Sequence, residues 1–132
     1  KKSDFVSIHC PLTDETKNLI NKSFFKKMKK TSIIVNTARG EVLNLNDLKD
    51  ALKNKKIKGA ALDVLQEEPL SIKFSIIKDY FENKKYLKNR LIITPHVAFY
   101  STTSVVEIRK KAATEAKNVL NNSKPRNCLN GF

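Results

Sequence analysis

Three short apolar runs of this 132-residue sequence are each followed by side chains that could carry out acid–base chemistry. Arg39 follows the first run, Asp63 and Glu68 follow the second, and His96 follows the third. A guanidinium can hold a carboxylate through two parallel hydrogen bonds, and an imidazole beside a carboxylate can exchange a proton near neutral pH. The set therefore predicts a site that orients an anionic substrate and moves a proton on it.

Each of these residues also has a purely structural interpretation. Arg39 could be a surface arginine after a strand, and His96 could be a hydrogen-bonded histidine without a catalytic role. Asp63 could cap a turn, Cys10 could be a small buried side chain, and His9 is better explained by packing. The order of arginine, glutamate and histidine after successive runs makes a shared site the better interpretation.

Parallel strands are the elements that could bring these residues together. We predict strands at residues 5–9, 33–36, 60–63 and 91–94, because each segment is short and rich in apolar or small residues. Helical patterns separate the strands, and this alternation is typical of an α/β fold with a parallel sheet. The carboxyl ends of such strands share one edge, where α/β proteins bind their ligands. We expect the candidate residues to converge there.

Polar caps and apolar spacing predict short helices between the strands. The first is expected over residues 23–30, with Ser23 as a candidate N-cap. The second would follow Asn44 or Asn46, either of which could cap it. Residues 70–90 predict only a short helix and a loop packed on the sheet, because their apolar residues follow neither the helical period nor the strand period well.

A long amphipathic helix is predicted over residues 101–120, followed by a polar tail. Its first residues, Ser101, Thr102 and Thr103, are better explained as helix caps than as nucleophiles. One stripe of the helix carries apolar side chains that would face a core or a dimer contact. These are Val105, Ile108, Ala112, Ala116 and Val119.

The formal net charge of +13 raises the question of nucleic-acid binding, because clustered cations bind phosphates by releasing counterions. Most of the charge comes from lysines spread along the chain, which are typical of solvated helix faces. Direct binding of nucleic acid is therefore the less favoured interpretation of the charge. The lysine pairs are Lys26-Lys27, Lys29-Lys30, Lys55-Lys56, Lys84-Lys85 and Lys110-Lys111.

Cysteine use and hydropathy argue against several other classes of protein. Cys10 and Cys128 lie far apart and form no CxxC pair, so we expect no metal site and no disulfide framework. No apolar run approaches the length needed to cross a bilayer, and the start of the sequence lacks the pattern of a signal peptide. We expect a soluble protein of a reducing compartment, namely the cytoplasm.

Four motifs occur in order along the chain, and they read HCPLTDETKNLI, IVNTARGEVLN, GAALDVLQEEP and ITPHVAFYS. At this spacing they resemble the second half of the nucleotide-binding domain of the D-isomer-specific 2-hydroxyacid dehydrogenases. The closing portion, AFYSTTSVVEIRKKAATEA with a final RNCLN, is most similar to the C-terminal-binding-protein branch, which includes transcriptional corepressors. The resemblance implies a Rossmann-like parallel sheet with flanking helices and a long C-terminal helix.

The resemblance implies a catalytic role for three residues of an NAD-dependent oxidoreductase. Such an enzyme transfers a hydride between nicotinamide and a small 2-hydroxy or 2-oxo acid. Arg39 matches the arginine that holds the substrate carboxylate, and His96 matches the proton donor. Glu68 matches the carboxylate that stabilises the imidazolium, whereas Glu67 would be its solvated neighbour.

The resemblance also implies a set of residues that bind NAD. The segment at 10–16 would line the adenosine end, Thr37 and Ala38 would lie near the nicotinamide ribose, and Asp63 would bind the carboxamide. Residues 96–99 would lie over the nicotinamide. The complete set is Cys10, Pro11, Leu12, Thr13, Asp14, Glu15, Thr16, Thr37, Ala38, Arg39, Asp63, His96, Val97, Ala98 and Phe99.

The resemblance divides the chain into two parts. Residues 1–100 would form a partial NAD-binding domain, and residues 101–132 would return to a substrate domain. The sequence contains neither the GxGxxG phosphate loop nor the acidic residue that reads the adenosine ribose. We therefore expect the 132-residue chain alone to bind NAD weakly or not at all and to be inactive. The resemblance further implies that the complete protein is a homodimer.

Two other functions remain open at this level. The chain could belong to an NAD(H)-sensing corepressor, which would reside in the nucleus, or it could be a catalytically inactive fragment or a basic binding module. The sequence determines neither the particular 2-hydroxy acid nor the choice between NAD and NADP, because the discriminating acidic position is absent.

Overall fold

A computed structural model describes residues 2–126 and Cys128 and divides the chain into two compact units. The first unit ends at Ala98, and the second begins at Phe99. A parallel sheet with its connecting helices makes up the first unit, and one long helix dominates the second. No helix in the described part of the chain is long and apolar enough to cross a membrane.

Four parallel strands form the sheet of the first unit, and they lie side by side in the order of the chain. The strands are β1, Phe5–Ile8; β2, Ile33–Asn36; β3, Gly59–Leu62; and β4, Leu91–Ile93. This sheet confirms the predicted α/β fold, and each strand agrees with its predicted segment to within one residue at each end. The carboxyl ends of the four strands define one edge, called here the carboxyl edge, and their beginnings define the amino edge.

One face of the sheet carries the hydrophobic core. Side chains alternate along a strand, so Ile8, Ile34 and Leu62 lie on the same face and are buried together. The opposite face is largely open, since Phe5 is 70% exposed and Ile92 is 61% exposed. The four strands are therefore held mainly by packing on a single side.

Three helices connect the strands and pack on the buried face. They are α1, Lys22–Lys27; α2, Leu45–Lys53; and α3, Ser75–Phe81. Each helix contributes apolar side chains to the same core as the strands, which explains the apolar spacing in the sequence. The buried helical side chains are Phe25, Leu45, Leu48, Ala51, Leu52, Ile76 and Ile77.

The N-cap of α1 differs from the prediction. Asn21 caps this helix, because its side-chain oxygen accepts hydrogen bonds from the backbone N–H groups of Ser23 and Phe24 at 3.0 and 3.3 Å. The prediction of Ser23 as the cap is wrong, since that residue already lies inside the first turn. Asn44, rather than Asn46, caps α2 in the same way.

The second unit contains α4, which covers Thr102–Leu120. Ser101 caps it as predicted, and Ser101 and Ser104 each accept a hydrogen bond from the other's backbone N–H. No described side chain of α4 is buried, and the role of its apolar stripe stays a prediction. The RNCLN sequence at 126–130 lies largely outside the described residues.

Arg90 ties together the connections that lead into β3 and β4 at the amino edge. Its Nε donates to the carbonyl of Lys58 at 2.9 Å, and Nη2 donates to the carbonyl of Ile57 at 2.7 Å. Nη1 donates to the carbonyls of Leu52 and Tyr86 at 2.8 and 3.1 Å. The planar guanidinium thus joins the end of α2, the approach to β3 and the approach to β4.

Replacing Arg90 by lysine should lower the free energy of unfolding by about 2 kcal/mol, because an ammonium group cannot reach four backbone carbonyls on two connections at once. Urea unfolding followed by circular dichroism measures the change. Arg109→Lys on exposed α4 preserves the same charge and should leave the stability within about 0.5 kcal/mol of the parent. Equal stability of the two variants would contradict a bracing role for Arg90.

Candidate active site

The segment after β2 positions Arg39 at the carboxyl edge. Asn36 is buried at the end of the strand, and its side-chain amide donates to the carbonyl of Arg39 at 2.9 Å. Its side-chain oxygen accepts a hydrogen bond from the backbone N–H of Ala38 at 3.1 Å. These two bonds close a tight turn, from which the exposed Arg39 side chain projects and donates to the carbonyl of Ala38 at 2.7 Å.

Gly40 permits the segment after β3 to approach Arg39. A Cβ atom at position 40 would lie 2.0 Å from the carbonyl carbon of Leu65 and 2.4 Å from the backbone nitrogen of Gln66, closer than any real contact allows. Only glycine can therefore follow Arg39 without displacing this backbone. The close approach brings the connections after β2 and β3 together at the carboxyl edge.

Glu68 and His96 form a hydrogen-bonded pair at this edge. The Nδ1 atom of His96 lies 2.7 Å from Oε2 of Glu68, and the other carboxylate oxygen accepts a hydrogen bond from the backbone N–H of Leu65 at 3.0 Å. The hydrogen bond from His96, followed by that from Leu65, lowers the pKa of Glu68 from its ordinary value. The carboxylate is thus kept charged and aimed at one ring nitrogen of the histidine.

The backbone at His96 has an unusual conformation that Asp63 stabilises. His96 has a positive φ of 53°, a left-handed conformation that is uncommon outside glycine. Its N–H donates to the carbonyl of Asp63 at 2.9 Å. The Asp63 carboxylate accepts three more hydrogen bonds, from the Thr94 hydroxyl at 2.5 Å and from the backbone N–H groups of Val97 and Ala98 at 2.9 Å each.

The pKa of Asp63 reflects two opposing effects. Burial raises it, because the charged form loses water. The hydrogen bonds from Thr94, Ala98 and Val97 together outweigh burial, so the pKa ends below its ordinary value of 3.8. Asp63 therefore remains a buried anion, and the segment after β4 is fixed around it.

Two cavities meet at the pair formed by Glu68 and His96. One, of 520 Å³, lies between Arg39 and the pair and is lined largely by polar side chains and backbone. The other, of 410 Å³, is mostly apolar and includes Tyr80 and Phe81 of α3. Arg39, Glu68 and His96 thus line one cavity, where a carboxylate held by the arginine would lie near the imidazole.

A third cavity, of 490 Å³, opens at the carboxyl ends of β1 and β2. Its size suits part of a nucleotide, and it adjoins Arg39, so these residues fit a dinucleotide laid along the edge. Seven residues line it: His9, Cys10, Pro11, Leu12, Thr37, Ala38 and Arg39. Nine residues of the predicted NAD-binding set precede Arg39, and five of them belong to this lining: Cys10, Pro11, Leu12, Thr37 and Ala38.

The remaining predicted cofactor residues fall into three groups. Thr13 and Thr16 close a turn beyond the cavity, in which the Thr16 hydroxyl donates to the carbonyl of Pro11 at 2.6 Å, and the intervening Asp14 and Glu15 are exposed. Val97 and Ala98 are bound to the Asp63 carboxylate through their backbone. Phe99 belongs to the second unit and is 57% exposed.

Three positioning residues escaped the sequence analysis. Asn36 could have been noticed as a polar residue at the end of an apolar run. Gly40 and Thr94 carry no such local signal, because their roles depend on Leu65 and Asp63, which are distant in sequence. The described residues contain no group of three or more histidine, cysteine or acidic side chains that could hold a metal ion.

Known proteins resemble this chain in both sequence and structure. The family model described as "D-isomer specific 2-hydroxyacid dehydrogenase, NAD binding domain" matches residues 1–98. A glyoxylate reductase from Thermofilum pendens is 43% identical over 113 residues, which are 86% of this chain and 30% of the relative. The chain therefore spans about a third of the length of this curated relative.

Solved structures show the same likeness over nearly the whole chain. A D-lactate dehydrogenase with NAD⁺ from Lactobacillus jensenii superimposes with a TM-score of 0.82 at 29% identity, covering 98% of this chain and 40% of that one. An NAD-complexed D-isomer-specific 2-hydroxyacid dehydrogenase from Lactobacillus delbrueckii ssp. bulgaricus gives a TM-score of 0.80 at 32% identity, with the same coverage.

Asp63→Asn should lower the free energy of unfolding at pH 7 by about 2–4 kcal/mol, because the amide places N–H groups against backbone donors. Folding lowers the pKa of Asp63, so its carboxylate stabilises the folded chain fully when the pH is above the ordinary pKa of 3.8. This stabilisation is lost as the pH falls through the lowered pKa of the folded state. The difference between parent and variant should therefore shrink on acidification.

Urea unfolding at pH 7 and at pH 3 measures this difference. Asp14→Asn, at an exposed carboxylate, is the matched control and should change stability little at either pH. A deficit of equal size at both pH values would contradict a stabilising charge on Asp63.

Proposed function

Because the chain belongs to the NAD-binding-domain family of the D-isomer-specific 2-hydroxyacid dehydrogenases, we propose that it supplies the cofactor-binding and proton-transferring part of such an enzyme. The reaction is hydride transfer between nicotinamide and a small 2-hydroxy or 2-oxo acid. The observation that carries the proposal is the 2.7 Å contact between His96 Nδ1 and Glu68, beside a cavity that Arg39 also lines.

Arg39 holds the carboxylate of the substrate in this proposal. Its side chain is exposed and bound only to the carbonyl of Ala38 among the described hydrogen bonds, so it can turn toward an incoming anion. A guanidinium presents two parallel N–H groups, which match the two oxygens of a 2-oxo acid's carboxylate. This contact fixes the neighbouring carbonyl carbon with respect to His96.

His96 donates a proton to the oxygen that becomes a hydroxyl when the carbonyl is reduced. Glu68 contacts Nδ1, so the other ring nitrogen, Nε2, is the atom that transfers the proton. The adjacent carboxylate stabilises the imidazolium before transfer and fixes the orientation of the ring. In the oxidising direction the same nitrogen accepts the proton.

NAD is the cofactor of this domain family, and it supplies a hydride donor or acceptor at its nicotinamide ring when bound. The cavity at the ends of β1 and β2 is the place where this chain would hold part of the dinucleotide. Cys10, Pro11 and Leu12 form one wall, and Thr37 and Ala38 form the other. Three hydrogen bonds already occupy the Asp63 carboxylate, so its predicted contact with the carboxamide would use the remaining acceptor position of Oδ2.

The same family likeness favours a catalyst over a corepressor. The relatives described above are named as a reductase and as dehydrogenases, and they lend no support to the corepressor branch suggested by the closing portion of the sequence. We propose a small 2-oxo acid as the substrate class, a homodimeric complete protein and a cytoplasmic location. Which acid is used depends on residues that contact its side chain.

His96→Ala should lower kcat for reduction of a 2-oxo acid by about 10²- to 10⁴-fold, because the general acid is lost. The affinity for NADH should change little, since the backbone at position 96 is held by Asp63. Steady-state kinetics and NADH titration in the longest natural polypeptide that contains this chain measure both quantities. Full activity of the variant would overturn the proposed role of His96.

Glu68→Gln should shift the pH above which carbonyl reduction declines to a lower value, because an amide stabilises the imidazolium less than a carboxylate does. A pH–rate series with pyruvate or glyoxylate and NADH measures the shift. Glu67→Gln is the matched control, because it removes the same charge from the neighbouring residue. Oε2 of Glu67 lies 3.8 Å from Nζ of Lys73, and no described hydrogen bond joins Glu67 to His96. Identical profiles for the two variants would rule out the assigned pair.

A further inference from the structure

The amino edge of the sheet gathers lysines that are scattered in the sequence. The connections leading into β2, β3 and β4 all end at this edge, because the strands are parallel. Each connection is rich in lysine, and together they contribute Lys29, Lys30, Lys55, Lys56, Lys58, Lys84, Lys85 and Lys88. The fold thus concentrates positive charge on the side of the sheet opposite the candidate active site.

Few acidic side chains neutralise these lysines. Within the described part of the chain, Lys29 pairs with Asp4 at 2.5 Å and Lys84 pairs with Glu82 at 3.0 Å. The other six lysines form no ion pair there, and all six are exposed. Unpaired cations held close together repel one another, so they favour an anionic partner.

Two depressions shape this surface into a groove. The first, of 350 Å³, is lined by Lys30, Lys55 and Lys58, among others. The second, of 590 Å³, is lined by Lys84 and Lys88. Both include Asn89, and no aspartate or glutamate lines either of them. We call their combined surface the lysine groove.

The floor of the lysine groove is rigid. Arg90 lines the first depression, and its guanidinium donates hydrogen bonds to four backbone carbonyls, including those of Ile57 and Lys58. The backbone that carries the lysines on two connections is therefore fixed before any ligand arrives. A preorganised site loses less conformational entropy on binding than a mobile one.

The shape and chemistry of the groove fit a single strand of nucleic acid. Lysine ammonium groups bind phosphates as point charges, and Phe81, which is 57% exposed beside Lys84, offers a ring on which a base can stack. Insertion into a bilayer would need several protruding apolar side chains, and Phe81 is the one exposed large apolar side chain among the residues that line the two depressions. The concave surface accepts a strand better than a flat membrane.

We propose that the lysine groove binds the phosphate backbone of single-stranded nucleic acid without reading its sequence. This proposal revises the preference, drawn from the dispersed lysines of the sequence, against nucleic-acid binding. It is independent of the proposed dehydrogenase activity, because Arg39, Glu68 and His96 do not line the groove, although Phe81 borders both the groove and the apolar cavity beside the pair.

Fluorescence anisotropy with a labelled 20-nucleotide oligouridine, titrated with the full chain at several salt concentrations, tests the proposal. The groove variant carries Lys55→Gln, Lys58→Gln and Lys88→Gln. The control variant carries Lys17→Gln, Lys22→Gln and Lys73→Gln, which remove the same charge from exposed positions at or near the carboxyl edge. Unfolding curves establish that both variants are folded.

The parent should bind with an affinity that falls as salt rises. The groove variant should flatten the slope of log K against log salt by about 2, as expected for about 0.7 per lost phosphate contact on a single strand. The control variant should keep most of the parent's slope. An equal decrease of this slope in the two variants would show that only the net charge matters, and it would overturn the proposal.

Two further arms separate alternative explanations. An excess of NADH over the oligonucleotide should leave the oligonucleotide bound, and displacement by NADH would place the strand at the dinucleotide site instead. Vesicles containing phosphatidylserine should bind the chain more weakly than the oligonucleotide does at equal phosphate concentration. Binding to vesicles without binding to the oligonucleotide would also overturn the proposal. The absence of binding to either at about 50 mM salt would do the same.

Discussion

A buried carboxylate at the end of β3 is the interaction on which the geometry of the candidate site depends. Asp63 is 6% exposed and accepts hydrogen bonds from three donors of the segment after β4. If that segment moved away, an unpaired charge would remain in the protein, at a high cost in free energy. This cost keeps the segment after β4 in place and so maintains the left-handed backbone conformation of His96. The position of the His96 ring beside Glu68 follows from that conformation.

The sheet and the approximate place of the site were predictable because their signals are local in sequence. A short apolar run predicts a buried strand, and the polar residues after it must lie at the strand's carboxyl end. The contacts that position those residues were not predictable, since they join segments far apart. Gly40 matters because Leu65 packs against it, and Thr94 matters because it binds Asp63. The cap of α1 was mistaken because Asn21 and Ser23 are both good capping residues two positions apart.

The distribution of charge across the sheet was equally hidden in the linear sequence. Lysines that are separated by 25 residues or more, such as Lys30 and Lys55, line one depression, because each precedes a parallel strand. The carboxylates of Asp63, Glu67 and Glu68 lie after β3, toward the opposite edge. The parallel topology therefore distributes the excess positive charge unevenly. The amino edge of the sheet is cationic, and the carboxyl edge carries more acidic side chains.

The contrast between Arg39 and its neighbour Gly40 has a consequence for how this site can diverge. The arginine is exposed and supports no packing, so it can be exchanged without harm to the fold. The glycine tolerates no side chain, because the backbone of Leu65 occupies the space that a Cβ would need. Under the proposed function, a descendant that lost the activity could lose the first residue and would retain the second. A glycine at this turn without its arginine would then mark a copy of the domain that lacks the proposed substrate contact.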